Sequence, residues 1–140
     1  MKAYADSGFI TTLYVQEPFS EKAQALADRY GSLPFTPWHR LEVRNAIRSS
    51  VSETQSKLAL KALERDLLEK MVIAHQPIDW TDCLRRAEML SEKYNPMIRA
   101  SSPDMFHVAC ALELGLEIFL SFDNTQSELA RAAGLKVKGL

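Results

Sequence analysis

The sequence predicts an α/β domain built on a parallel sheet. Short apolar, strand-like runs alternate with segments whose apolar residues recur at helical spacing, the pattern of strand–helix–strand units. One run, Glu117 to Phe122 (EIFLSF), is almost continuously apolar and suits a strand covered on both faces. The size agrees: 140 residues, 46% hydrophobic and 25% charged, make one ordinary core that needs neither disulfides nor a structural metal. No repeat, low-complexity tract or Pro/Gly linker divides the chain, so residues 1–140 read as a single domain.

The elements follow in order. Lys2 to Ala5 reads as a strand closing on Asp6, and Ser7 is placed to cap a helix carrying Phe9, Ile10, Leu13 and Tyr14. A second helix runs from about Ser20 to Tyr30, with Ala23, Leu26 and Ala27 on its apolar stripe, and Gly31 breaks it. Leu33 to Thr36 is a short strand, after which Pro37 sits in the first turn of a helix reaching Val51. Glu53 to Met71 forms a long helix rich in Leu58, Leu60, Leu63, Leu67 and Leu68, followed by an irregular or extended piece, Val72 to Ile78. Asp79 caps a helix bearing Leu84, Ala87, Leu90 and Tyr94 that stops near Asn95 and Pro96. Ser102 and Pro103 open the next, PDMFHVACALEL, which Gly115 ends. After the EIFLSF strand come a helix from about Thr125 to Ala133, ended by Gly134, and a last strand, Lys136 to Lys138.

Composition excludes several classes. The longest apolar stretches fall well short of the ~20 residues of a membrane span, and no basic region followed by a long apolar run opens the chain. A soluble, cytoplasmic protein without a membrane partner is expected. Cys83 and Cys110 lack a second Cys or His at ligand spacing and read as buried thiols in a reducing compartment. Seventeen Lys plus Arg against 18 Asp plus Glu give a net charge of −1, with no bulk excess for holding phosphates.

Four carboxylates stand in apolar contexts, where an acid must be paired, protonated or bound to a metal. Asp6 and Asp123 each end an apolar strand and precede a helix, the edge of a parallel sheet where ligand sites form. Asp104 lies in the first turn of an almost wholly apolar helix, and Glu42 sits between Leu41 and Val43. Singly, each has a plainer reading as a helix cap or a dipole-favoured carboxylate. Jointly, they would repel one another unless divalent cations lay among them, and oxygen-only ligation favours Mg²⁺ or Mn²⁺ over zinc.

The segments YADSGFI, HRLEVRNAI, PDMFHVACAL and FLSFD, in that order and spacing from Lys2 to Val137, resemble the PIN domain, and closely the toxin nucleases of the VapC family. The resemblance implies a three-layer α/β/α sandwich with a central parallel sheet, and a metal-dependent ribonuclease. It assigns Asp6, Glu42, Asp104 and Asp123 to the acidic metal site, with Ser7 and Ser121 as small hydroxyl residues flanking the first and last acids. It also implies an RNA substrate, a homodimer and a cognate antitoxin as partners. The sequence departs from the family where a basic residue often precedes the third acid: Ser101, Ser102 and Pro103 stand there, and the nearest base is Arg99. Asn124, Thr125 and Gln126 follow the fourth acid, where some relatives carry a further carboxylate.

With converged acids the expected chemistry is hydrolysis of RNA phosphodiester bonds by activated water, the carboxylates acting as ligands. The alternative is a non-catalytic PIN-like module that binds RNA or protein. Ser7 has no His or Asp partner that would make it a nucleophile. His107 reads as a hydrogen-bonded core residue or a support for Asp104 sooner than as a general base. On the Glu42 helix, Arg40, Arg44 and Arg48 form a basic stripe that, at about 100° per residue, projects opposite Glu42, while Asn45 and Ser49 share the Glu42 side. The stripe is a solvated face, an RNA backbone contact or a salt-bridged partner surface. Trp38, Phe35 and Trp80 read as packing before base stacking, and the Glu53–Met71 helix carries apolar surface for a partner or for the core. Setting aside four of the 18 acids as metal ligands leaves 14 against 17 bases, a surround of about +3, so RNA affinity should show a modest salt slope.

Overall fold

The computed structural model describes every residue from Met1 to Leu140. Strand β1 (Ala3–Ala5) leads to helix α1 (Ser7–Thr12), α2 (Ser20–Tyr30), β2 (Leu33–Phe35), α3 (Pro37–Ser50), α4 (Glu53–Glu69) and β3 (Ile73–His75). Then come α5 (Trp80–Tyr94), α6 (Ser102–Glu113), β4 (Ile118–Leu120), α7 (Asn124–Ala132) and β5 (Lys136–Lys138). No helix is long and apolar enough to cross a membrane.

The predicted order stands, with corrections concentrated at helix starts. Asp6, not Ser7, caps α1: its backbone is extended (φ −72°, ψ 170°), and its carboxylate accepts the Phe9 N–H at 2.6 Å. Ser7 is already helical, which frees its hydroxyl. By the same geometry Ser101, not Ser102, caps α6, accepting the Asp104 N–H. Asp123 caps α7, and Asp79 caps α5 as expected. The piece between α4 and α5 contains a true strand, β3, which its single buried residue, Ile73, had left ambiguous in the sequence. β4 is shorter than EIFLSF because the chain turns after Leu120, sending Phe122 to stack on Phe9 and Phe19.

All pairings are parallel. β1 pairs with β4 (Ala3 opposite Ile118, Ala5 opposite Leu120), β4 with β5, and β2 with β3, while β2 lies alongside β1. Hydrogen-bonded ladders join β1, β4 and β5 in one sheet and β2 with β3 in another, and with β2 packed beside β1 the strands lie in the order β3-β2-β1-β4-β5. The chain moves one way from β1 to β2 and the other way to β4, so the crevice at the carboxyl ends of β1 and β4 is a topological switch point. The Asp6 N–H donates to the Leu120 carbonyl at 3.1 Å and extends that ladder into the crevice.

Period-two alternation divides the core into two faces. Ala3, Ala5 and Leu120 meet Phe9, Ile10, Val43, Ile47 and Leu63 from α1, α3 and α4, whereas Tyr4 and Phe119 meet Leu90, Val108 and Leu129 from α5, α6 and α7. This is a three-layer α/β/α sandwich. Leu58, Leu68 and Leu84 remain exposed, so the apolar surface of α4 exceeds what its core face uses, and Leu84 lies off the buried stripe of α5.

Candidate active site at the switch point

Asp6 is 5% exposed, and each of its oxygens is held. Oδ1 accepts the Phe9 N–H, and Oδ2 accepts the Ser121 hydroxyl at 2.6 Å. Burial pushes its carboxyl up from 3.8 to about 6, against the lowering effect of those two bonds and of His107; the charge of Asp104 adds to the rise. Ser121, fully buried, also accepts the Asp123 N–H at 3.0 Å, so one side chain ties the first acid to the backbone of the fourth.

Asp123 Oδ1 accepts the Gln126 N–H at 2.7 Å, and Gln126 in turn donates from Nε2 to the Asp104 carbonyl at 3.3 Å. Asp104 is raised by burial, countered by the Ser101 hydroxyl, and raised further by the charges of Asp123 and Glu42. Glu42 is half-buried. Burial alone would raise its carboxyl, but hydrogen bonds from His107 and Ser7 outweigh this and set it below its usual 4.5. Its Oε1 receives both donors, Ser7 Oγ at 2.7 Å and His107 Nε2 at 2.6 Å.

The four predicted acids therefore lie within one another's electrostatic reach: Asp6 feels Asp104, and Asp104 feels Asp123 and Glu42. No three His, Cys, Asp or Glu side chains close into a coordination shell. Both oxygens of Asp6 and one each of Glu42 and Asp123 are held on protein donors, while Glu42 Oε2, Asp123 Oδ2 and both carboxylate oxygens of Asp104 are held by none. By donor chemistry the set fits a hard cation such as Mg²⁺ or Mn²⁺, and no thiolate or free imidazole is at hand to favour zinc.

The supporting residues divide. Ser7 and Ser121 each contact an acid, whereas Asn45 is exposed and only its carbonyl is engaged, by Ser49. Ser7 and Glu42 instead border a cavity of about 320 Å³ with Gly8, Thr11, Glu17, Ala46 and Ser50. Arg40 and Arg44 both pair with Glu64 of α4, at 2.9 and 2.6 Å, so the basic stripe is largely an intramolecular contact. Arg99 is exposed, its Nε turned to the Pro96 carbonyl. Trp38 and Trp80 pack on Phe106, and Phe35 lies in the core.

Two histidines carry more than the sequence suggested. His107, 2% exposed, contacts Tyr4 Oη through Nδ1 at 2.6 Å and Glu42 through Nε2, and it supports Glu42 by direct contact. His39, fully buried, completes the α3 capping box by accepting the Thr36 N–H at Nδ1, and its Nε2 donates to the Ala5 carbonyl at 2.8 Å. It thereby fixes the residue before Asp6. Burial first, and then the adjoining His107 ring, hold its own ring well below 6.5, hence neutral. A Gly at position 139 is required here too: a Cβ there would lie 2.2 Å from the Ser121 carbonyl, at φ +127°.

A parallel α/β sandwich with one buried carboxylate, Asp6, and three others more exposed, Glu42, Asp104 and Asp123, grouped with it about the switch point defines the class of protein. More particularly, the PIN domain family model matches residues 3–132, and the chain belongs to that family. No curated protein matches the sequence. Among solved structures the chain is similar to VapC20 of Mycobacterium tuberculosis, a sarcin-ricin loop cleaving toxin, with TM-score 0.72, 15% identity and 96% of each chain covered. It is also similar to a chain of FitAcB from Neisseria gonorrhoeae (TM-score 0.69, 15% identity, 96% of this chain and 95% of that one). A third is in VapBC2 of Rickettsia felis bound to a promoter DNA fragment (TM-score 0.70, 10% identity, 99% and 98% covered).

Proposed function

We propose that this chain is a divalent-metal-dependent endoribonuclease and the toxin of a toxin–antitoxin pair, acting in the cytoplasm as a homodimer that a cognate antitoxin restrains. The observation that carries the reading is the hydrogen-bond linkage of the four acids: Ser121 joins Asp6 to Asp123, Gln126 joins Asp123 to Asp104, and Ser7 and His107 hold Glu42. Asp6 is the buried one, its carboxyl raised chiefly by burial, and a divalent cation would offset the cost of charging it there. The similarity to VapC20, FitAcB and VapBC2 supports the RNA substrate and the antitoxin.

Asp6, Glu42, Asp104 and Asp123 would hold the cation. The chemistry that Mg²⁺ or Mn²⁺ supplies when bound is Lewis acidity, which activates water and neutralises charge on the phosphodiester. This chain's own residues orient the acids. Ser121 and the Phe9 N–H fix the Asp6 carboxylate, Ser7 and His107 fix Glu42, and the Gln126 N–H fixes Asp123. Contrary to the sequence reading, Ser7 does have a histidine neighbour, His107 Nε2 at 3.0 Å, but the Ser7 hydroxyl donates to Glu42 at 2.7 Å and the same Nε2 is engaged by that carboxylate at 2.6 Å, so no base stands free to make Ser7 a nucleophile.

The test is cleavage of cellular RNA by the purified chain with Mg²⁺ or Mn²⁺, alongside Asp6→Asn and Asp104→Asn. The expected result is metal-dependent cleavage, stopped by EDTA and lost in both folded variants. Cleavage that survives in Asp6→Asn would overturn the reading, and RNA binding without cleavage would favour the non-catalytic module.

A further inference from the structure

Glu42 has the longest side chain of the four acids and is half-buried, so its carboxylate has the most rotamer freedom to lose on ordering. Two donors remove that freedom. Ser7 Oγ and His107 Nε2 both reach Oε1, at 2.7 and 2.6 Å, and lie 3.0 Å from each other; an ionised carboxylate only accepts, so each gives its hydrogen to Oε1, and Oε2 is left without a protein partner. Ser7 is half-buried on α1, and His107 is 2% exposed inside α6.

The imidazole is itself held from behind. Tyr4 Oη lies 2.6 Å from Nδ1, and Tyr4 is fully buried on β1, its ring stacked on Phe119 at 5.7 Å. A phenol O–H donating to Nδ1 puts the ring proton on Nε2, the nitrogen that faces Glu42. The chain of contacts runs from the middle of the sheet through α6 to an acid on α3. The strand that leads into Asp6 thus sets a second acid, 36 residues beyond Asp6, through one ring.

We infer that Tyr4 and His107 are positioning residues acting in series, the Tyr4 hydroxyl fixing the His107 tautomer and His107 fixing the Glu42 carboxylate with Oε2 turned out as the ligand oxygen. The inference rests on the proposed metal-dependent reading for its last step and on the hydrogen-bond chain alone for the first two. Hydrogen bonds to a ligating carboxylate restrict it before the cation arrives, and losing such a support costs roughly 10- to 100-fold in metal affinity.

The experiment has two arms. In the metal-free protein at neutral pH, ¹⁵N NMR of the His107 ring should find the proton on Nε2, with the tautomer preference relaxed in Tyr4→Phe, which keeps the ring stacking. A ring protonated at Nδ1 overturns the inference. In the second arm, Mn²⁺ titration calorimetry well below the melting temperature compares the wild type with His107→Leu, His107→Gln and Tyr4→Phe. His107→Leu should bind Mn²⁺ about 10- to 100-fold more weakly. Gln, which offers an acceptor and a donor in place of the two ring nitrogens, should recover most of the loss, and Tyr4→Phe should fall between. Affinity unchanged in His107→Leu, or a Gln variant no better than Leu, overturns the inference. A wild type that binds no Mn²⁺ would instead sink the proposed metal-dependent function, with the NMR arm still deciding the tautomer lock.

Discussion

Asp6→Asn is expected to make the metal-free protein more stable while removing its activity. The folded state raises the Asp6 carboxyl from 3.8 to about 6, chiefly by burial. Between those values the folded chain holds a proton that the unfolded chain has released, so stability falls as pH rises from about 4 to about 6 and stays lowered above it. Each pH unit in that window is worth ~1.4 kcal/mol, which makes the charged carboxylate a burden of about 3 kcal/mol at pH 7. Asn is nearly the same size, its oxygen still accepts the Phe9 N–H, and its amide can face Ser121 with the hydroxyl turned toward Gln126. The gain is therefore about 3 kcal/mol at most, or on the order of 10 °C in Tm for a domain of this size. Urea denaturation of both chains at pH 4, 5, 6, 7 and 8 in EDTA reads it. The difference should be largest at pH 7–8, shrink below pH 6 and vanish near pH 4. A variant less stable than wild type at pH 7.5, or a difference that ignores pH, would refute the reasoning. Added Mn²⁺ should then stabilise the wild type by mass action and leave Asp6→Asn unmoved.

Two further outcomes follow from the caps and the second buried histidine. His39 is neutral in the folded state and titrates near 6.5 when unfolded, so its contribution is intact above about pH 6.5 and erodes as pH falls below it. His39→Gln should flatten that part of the stability–pH curve between pH 7 and 5, measured by urea denaturation, and an unchanged slope would exclude it. Asp123 caps α7 with one oxygen only. Asp123→Ser should stay within about 1 kcal/mol of wild type, whereas Asp123→Ala should lose about 1 kcal/mol with the cap; both should lose RNA cleavage, which separates the cap from the charge.

The elements were legible because their punctuation is local. Gly31, Pro37, Asp79 and Gly134 mark ends that the backbone respects, and the α2 and β5 boundaries match the sequence reading. Where two candidate caps adjoin, as at Asp6–Ser7 and Ser101–Ser102, periodicity does not choose; the one with extended backbone does. The acids of the site were legible for the same reason, as Asp6 and Asp123 occupy strand-to-helix junctions. Their supports were not. His107 meets a carboxylate 65 residues away and His39 a carbonyl 34 residues away, and in sequence each is only a lone histidine. Gln126 was noted for not being an acid, whereas its backbone caps with Asp123 and its amide reaches Asp104. The basic stripe shows the opposite failure: its spacing marked a charged face, but its partner, Glu64, lies on the next helix.

That last pairing bears on how RNA would be held. Removing four acids as ligands left a surround of about +3, yet Arg40 and Arg44 share one carboxylate, and an arginine so engaged gives up part of its field before any phosphate arrives. The remaining bulk attraction is weaker than the count implies, so on the proposed reading phosphate would be drawn mainly by cations held among the acids. The caps make that centre rigid. Asp6 and Asp123 each commit one oxygen to the first turn of a helix, which fixes the side-chain torsion and so the direction of the other oxygen. Helix cap and metal ligand, which compete as explanations when a lone Asp is read from sequence, are therefore compatible uses of the two oxygens of one carboxylate. In Asp6 the second oxygen is held by Ser121, and in Glu42 the division is repeated without a cap, through Ser7 and His107. The burial that costs Asp6 its stability thus acts on a carboxylate held at both oxygens, and on the proposed reading a divalent cation would offset that cost with little reorganisation.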